Sequence, residues 1–303
     1  MATSGLWYLK SENGEDIRSL MKYGGDTQMQ DVQNELQYIG INSLVILDTT
    51  KKKVKSHGEG RDMIYTGNPE EDAYTLSEFL SDNMIMPYYV EIPFYKHRTY
   101  CSSSDCSLED MRGPEYWKSW VEMFMISSDP NLRVFCWNFE SPMMFPSTNG
   151  FSWEEAISEL AAMIHSAGFE FIWIPYVHTT SWEKIKDLRI FNPGSYEHHG
   201  AYYFDRVFLQ SGYYQGYITP AEISTLQSWK EYVDEAKSDR YNYRGIDNIY
   251  YEFECDGAVL TSSVYRQSAC DYLRVLGKPS QRAYYYDVDV KALEYLDGVC
   301  GYV

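Results

Sequence analysis

Short apolar runs rich in β-branched and aromatic residues recur along the chain, and most are followed by a stretch in which apolar residues return every three or four positions. After LWYL (6–9), Val32, Leu36 and Ile39 share a face, which predicts a helix over 27–39 stopped by Gly40. SLVILDT (43–49) reads as a strand that ends on Asp48. Thr75 and Glu78 have capping-box spacing and open the next predicted helix, and MIMPYYVEIP (84–93) follows as a strand. Pro114 starts a helix through EYWKSWVEMFMI, and RVFCWNFE (133–140) is the fourth strand. Ser152 and Glu155 form a second capping box; Ile157, Leu160, Ala161 and Ile164 line one helical face, and Gly168 ends it. FEFIWIPYV (169–177) is the fifth strand, and a short helix from Ser181 leads to RVFLQSGYY (206–214). Thr219, Pro220 and Glu222 then fit N-cap, N1 and N3 of a long helix. NIYYEFECDG (248–257) and RAYYYDV (282–288) bracket a helix at 262–276, and a helix over 289–296 closes the chain.

Eight strand candidates, each followed by a helix or by room for one, predict a single (β/α)₈ TIM barrel spanning 1–303, in a chain somewhat longer than the ~250 residues usual for that fold. Near-continuous apolar strands suit a parallel sheet covered by helices. An open doubly wound sheet is the alternative, but no GxGxxG or GxxxxGK turn follows an early strand. No internal repeat or linker divides the chain. Long segments after strands two (49–74), three (94–113) and four (141–151) would wall an extended cleft at the carboxyl-terminal face.

Charge narrows the function. Lys and Arg number 26 against 44 Asp and Glu, a net −18, which opposes phosphate binding and excludes nucleic acid as a partner. The KKKVK run at 51–55 reads as a solvated loop. No apolar stretch reaches the roughly 18 residues of a membrane span, and the N-terminus has no export-signal pattern, so no membrane partner is expected. The chain is expected to act as a monomer. Of the cysteines at 101, 106, 136, 255, 270 and 300, most fall in apolar runs and read as buried free thiols; Cys101 and Cys106, in the loop CSSSDC, are the pair that could close a small disulfide.

In a barrel the chemistry lies at the carboxyl ends of the strands. Carboxylates close several: Asp48 on the second, Glu91 on the third, Glu140 on the fourth, Glu252, Glu254 and Asp256 on the seventh, and Asp287 on the eighth. Alternation puts Glu252, Glu254 and Asp256 on one face of their strand and Tyr251, Phe253 and Cys255 on the other, and pairs Asn138 with Glu140 on the fourth. Two Glu side chains from strands four and seven could flank a sugar ring, one protonating the leaving oxygen and one ionised to attack the anomeric carbon or activate water. Glu140 is expected as general acid/base and Glu254 as nucleophile, with Glu252 as alternate nucleophile or hydrogen-bonding neighbour. Tyr176, His178, Gln210, Tyr214 and Tyr285, together with Asn138, Asp48 and Asp256, are expected to line the substrate site. Such a pair needs no cofactor, and no His/Cys cluster has metal-ligand spacing. The expected activity is a retaining glycoside hydrolase acting on a poly- or oligosaccharide; a non-catalytic carbohydrate-binding barrel is the alternative.

The run RVFLQSGYYQG, then IYYEFECDG, then RAYYYDV resembles the domain-of-unknown-function family 4855, where a strand ending in a Leu-Gln-Pro-Asn-Tyr-like motif precedes a Glu-Ile-Glu-Phe-Asp-like strand and a late Tyr-rich strand. The resemblance implies a TIM barrel similar to glycoside hydrolases, often in proteins acting outside the cell. It maps Gln210, Tyr213 or Tyr214, Glu252, Glu254 and Asp256 onto the motif, whereas Ser211 and Gly212 replace its Pro-Asn. More broadly, Glu on strands four and seven looks like the clan of retaining barrel glycosidases, whose Asn-Glu pair is here spaced Asn138-Phe139-Glu140.

Overall fold

A computed structural model describes residues 3–12, 16–48, 51–53, 59–61, 68–93, 114–127, 129–137, 153–175, 203–214, 222–238 and 248–303. Eight parallel strands close into a barrel: β1 (Thr3–Glu12), β2 (Ser43–Asp48), β3 (Tyr88–Glu91), β4 (Leu132–Trp137), β5 (Glu170–Trp173), β6 (Arg206–Leu209), β7 (Ile249–Glu254) and β8 (Arg282–Tyr285). Closure is made by β8 against β1, with Thr3 opposite Arg282 and Gly5 opposite Tyr284. Seven helices lie among the described residues: α1 (Met29–Tyr38), α2 (Pro69–Asn83), α3 (Pro114–Ile126), α4 (Trp153–Ser166), α5 (Ile223–Ser238), α6 (Ser263–Leu276) and α7 (Lys291–Cys300). The expected (β/α)₈ barrel is therefore the architecture observed.

The strands bury both faces, as a helix-covered parallel sheet must. Outward residues meet the helices: Trp137 stands edge-on to Trp117 of α3, and Tyr251 packs on Trp229 of α5. Inward residues fill the barrel. At its amino-terminal end Ser4 and Ser43 share a hydrogen bond of 2.8 Å, Ser43 donates to the Tyr89 hydroxyl at 3.4 Å, and Arg206 reaches that hydroxyl from the other wall at 3.3 Å while pairing with Glu170. This polar plug fixes the parity of four strands, and with it which side chains face the axis farther along each strand.

Local chemistry moved some element starts. Asn68, not Thr75, caps α2: its Oδ1 accepts from the backbone N–H of Glu70 and Glu71, and Pro69 occupies the first turn. Thr75 and Glu78 lie inside the helix, bonded to Glu71 and Tyr74. The fifth helix begins at Ile223, directly after Glu222, so Glu222 is not its N3 residue; Thr219 and Pro220 lie outside the described residues, as do Ser152 and Ser181. Two strand pairs were not expected. Asp16–Ser19 runs antiparallel to the far end of β1, and Lys51–Lys53 pairs with Glu59–Arg61, so part of the KKKVK run is strand rather than loop.

The cysteines also depart from expectation. Cys270 of α6 and Cys300, the last residue of α7, form a disulfide with Cα atoms 6.2 Å apart, although both had read as buried free thiols. The cause is tertiary: two adjacent helices of the outer ring bring residues thirty positions apart together. Cys136 and Cys255 are free and buried. Cys101 and Cys106 lie outside the described residues.

Candidate active site at the carboxyl-terminal end of the barrel

The seventh strand organises the site. Phe253 faces outward, stacked on Tyr272 of α6 with ring centroids 5.5 Å apart and in contact with Tyr284 and Tyr302. With Tyr251 also outward, alternation turns Glu252 and Glu254 to the axis. Both are buried, at 1% and 2% exposure. Burial of two carboxylates on one strand is costly unless hydrogen bonds or an approaching ligand compensate. For Glu254 one compensating bond comes from the loop after β6: the Gly212 N–H donates to its Oε1 at 2.9 Å. Gly212 adopts φ +64°, a conformation that glycine reaches without strain. The Glu254 carbonyl is held from outside, accepting from the Tyr302 hydroxyl at 2.9 Å.

Asp256 lies at the rim. Its Oδ1 accepts from the Tyr214 hydroxyl at 2.6 Å and from the Ala258 N–H at 2.8 Å, capping the short 3₁₀ turn Gly257–Leu260. The Tyr214 phenol is pushed well above its usual range, by burial first and then by this carboxylate. Tyr285, half-buried, sits opposite Glu254 in the ladder and edge-on to Tyr8 of β1, with centroids 6.4 Å apart. Its phenol is also pushed up, chiefly by burial and then by the charges of Asp287, Glu252, Asp256 and Glu254, so the ring lies within the field of the acidic cluster. Gln210, half-buried, donates its side-chain amide toward the Ile174 carbonyl at 3.5 Å, on the neighbouring strand's extension.

Sequence reasoning left Glu91 out of the site. Tyr89 points to the axis, so Glu91, two residues on, does too, and it is buried. Along the ladder, Glu252 faces Ala283, Ala283 faces Ser4, Ser4 faces Ser43, and Ser43 faces the residue before Tyr88. Glu91 lies four positions beyond that residue, after four strand steps. A barrel of shear 8 needs about one residue of stagger per strand to keep level, so Glu91 and Glu252 stand level on opposite walls. The sequence signal was the period-two continuation of Tyr89. Tyr272 and Tyr302 had no such signal, because neither is at a strand end.

Glu140, Asn138, Tyr176 and His178 lie outside the described residues, and so does the side chain of Asp48, whose backbone closes β2 opposite Leu9. Of the expected site residues, those described are Glu252, Glu254, Asp256, Gln210, Tyr214 and Tyr285, and all belong to β6, β7, β8 or the segments just beyond them. Cys255, on the outer face, is buried, and its thiol is pushed up by burial and then by Asp256 and Glu254, which keeps it unreactive. Among the described residues no group of three His, Cys, Asp or Glu side chains is arranged to hold a metal ion, and no helix is long and apolar enough to cross a membrane.

No family model matches the chain. The uncharacterized protein MJ0957 of Methanocaldococcus jannaschii is 26% identical over 341 aligned residues, covering 95% of this chain and 89% of that protein. PbGH5A, a glycoside hydrolase family 5 enzyme from Prevotella bryantii B14, aligns in structure with a TM-score of 0.48 at 12% identity, over 85% of this chain and 78% of its own. AbfB, a family 51 α-L-arabinofuranosidase from Bifidobacterium longum, aligns with a TM-score of 0.47 at 10% identity, over 96% of this chain and 67% of its own. This likeness carries no residue role or activity across.

Proposed function

We propose that the protein is a retaining glycoside hydrolase acting on a poly- or oligosaccharide, with Glu254 as nucleophile and Glu140 as general acid/base. The observation that carries this reading is the setting of Glu254: an inward carboxylate at the end of β7, with one oxygen fixed by the Gly212 N–H and a tyrosine, Tyr285, beside it. A backbone donor to the charged form favours ionisation, which a nucleophile needs. In the first step Glu254 attacks the anomeric carbon, the glycosidic C–O bond breaks, and the Glu140 proton goes to the leaving oxygen. In the second, Glu140 takes a proton from water, the water oxygen bonds to the anomeric carbon, and the Glu254 ester bond breaks. Tyr214, Gln210 and Asp256, with Tyr176 and His178, are assigned to binding sugar faces and hydroxyls.

Release of reducing ends from a polysaccharide panel, together with turnover of chromogenic glycosides, tests the reading. Glu254→Gln should lower turnover of every substrate by about 10⁴-fold. Glu140→Gln should keep its first step on substrates with good leaving groups, and added azide should restore turnover by replacing the water that Glu140 activates. A dead Glu252→Gln beside a near wild-type Glu254→Gln would move the nucleophile to Glu252. Binding without release across the whole panel would establish the non-catalytic carbohydrate-binding barrel instead.

A further inference from the structure

The loop after β6 turns one backbone amide toward the barrel axis and the side chains on either side of it toward the outer helices. Gly212 gives its N–H to Glu254 Oε1 at 2.9 Å, while Ser211 and Tyr213, both buried, are anchored on consecutive residues of α6. Ser211 Oγ and the Tyr272 hydroxyl share a hydrogen bond of 2.8 Å, and the Tyr213 hydroxyl donates to Asp271 Oδ2 at 2.9 Å. Ser211 Oγ also accepts the Tyr213 N–H at 3.1 Å, which ties the two flanking residues to each other across the glycine. The Gly212 amide is thus held from both sides, and it cannot swing off Glu254 without disturbing one of these bonds.

Asp271 is the stronger of the two anchors. Its other oxygen, Oδ1, accepts from Gln267 at 2.7 Å and from Arg274 at 3.0 Å, residues four before and three after it on α6. The carboxylate is therefore oriented by its own helix, independently of the loop. A hydrogen bond to such a group is roughly twice as strong as one between two neutral hydroxyls, which is what Ser211 and Tyr272 make. The Tyr213 ring stands edge-on to that of Tyr272, with centroids 5.8 Å apart, so packing places the ring and Asp271 fixes how far its hydroxyl reaches. Asp271 is buried, and leaving its Oδ2 unmatched is costly, which opposes release of the loop.

We infer that Asp271 is a positioning residue for Glu254: by holding the Tyr213 hydroxyl it fixes the loop that keeps the Gly212 N–H on the Glu254 carboxylate. The catalytic consequence rests on the reading of Glu254 as nucleophile; the anchoring does not.

Tyr213→Phe removes this anchor and leaves the ring, every charge and the bonds from Gln267 and Arg274 to Asp271. Carbon NMR titration of the glutamate side-chain carboxyls, with Glu254 identified by the signal lost in Glu254→Gln, should show the Glu254 midpoint rising by about one pH unit, because a donor to the charged form is displaced. In kinetics the acidic limb of kcat/KM should move up by the same amount, with kcat reduced about tenfold and KM within about twofold. A general loss of packing would lower activity without moving the limb. Asp271→Ala adds a test of sign. It deletes a negative charge and frees the Arg274 guanidinium, and through the electric field alone both changes lower the Glu254 midpoint. Loss of the anchor raises it, and the midpoint should rise against that field. A midpoint that stays in place or falls in either variant overturns the inference; should Asp271→Ala not fold, Tyr213→Phe decides alone. Absence of glycan turnover in the wild type would sink the glycosidase reading alone, since the carboxyl titration still decides the role of Asp271.

Discussion

Removal of the Cys270–Cys300 disulfide perturbs both stability and the site. The bridge joins residues thirty positions apart in the sequence. In the chain-entropy treatment, closing a loop of that length removes about 12 cal/mol/K from the unfolded ensemble, equivalent to about 3.6 kcal/mol at 25 °C. That is a large fraction of a typical folding free energy of roughly 5–15 kcal/mol. An unfolding entropy of about 2.1 cal/mol/K per residue over 303 residues converts it to a fall in Tm of about 6 °C. The double variant Cys270→Ser/Cys300→Ser, followed by calorimetry beside the wild type, measures it. Peptide mapping without reductant should recover the linked 270–300 pair from the wild type. The effect should also reach β7, because Tyr302, two residues past Cys300, donates to the Glu254 carbonyl and packs on Phe253. Amide exchange over 249–256 should therefore rise in the variant, more than in α2 on the far side of the barrel. A Tm within about 1 °C of the wild type, or a wild-type map with no linked peptide, would refute the reasoning.

Two further outcomes follow from single side chains. Gln33 of α1 is fully buried, donates to the carbonyls of Asn83 and Met29, and accepts the N–H groups of Ile85 and Met86; Gln33→Leu should lower stability by about 3 kcal/mol or more, since each backbone group left unpaired costs roughly 1–3, as denaturant titration would show. Tyr23 donates to Glu294 of α7 at 2.8 Å, and this hydrogen bond chiefly lifts its phenol to about 12. A folded value above the unfolded one means the stabilisation is complete below about pH 10 and lost as pH rises toward 12, so Tyr23→Phe should flatten the loss of stability over that window. An unchanged alkaline slope would separate Tyr23 from it.

The strands and most helices were legible because burial imposes a period. Ile157, Leu160, Ala161 and Ile164 are all buried on α4, as their spacing required, and the apolar runs of β1, β2 and β4 became inner strands. The inward orientation of Glu252 and Glu254 was legible for the same reason, since two outward aromatics fix the parity of the strand. What failed depended on competition or on tertiary proximity. Thr75 had capping-box spacing, but Asn68 with Pro69 started the helix about two turns earlier. The Cys270–Cys300 bridge, the level placement of Glu91 and Glu252, and the contact of Tyr272 with the loop after β6 all depend on how helices and strands are arranged around the barrel. No local pattern encodes that arrangement.

The outer face of β7 explains how its inner face can carry two buried carboxylates. Removing an ionised group from water costs several kcal/mol even after relaxation. Against this, a buried aromatic side chain removes roughly 150–250 Å² from water, and at about 25 cal/mol per Å² Tyr251 and Phe253 each contribute roughly 4–6 kcal/mol as upper values. Phe253 is surrounded by Tyr272, Tyr284 and Tyr302, and Tyr251 by Trp229, with the Lys237 ammonium 5.9 Å from its ring centroid. The same aromatics tie this strand to the outer layer: the Tyr302 hydroxyl donates to the Glu254 carbonyl, and the Tyr272 hydroxyl bonds to Ser211 in the loop whose Gly212 N–H holds the Glu254 carboxylate. Apolar packing outside the barrel therefore fixes the strand register, and with the register fixed the carboxylates cannot turn away from the axis, because a slip of one residue would carry Phe253 inward and both glutamates into the helix layer.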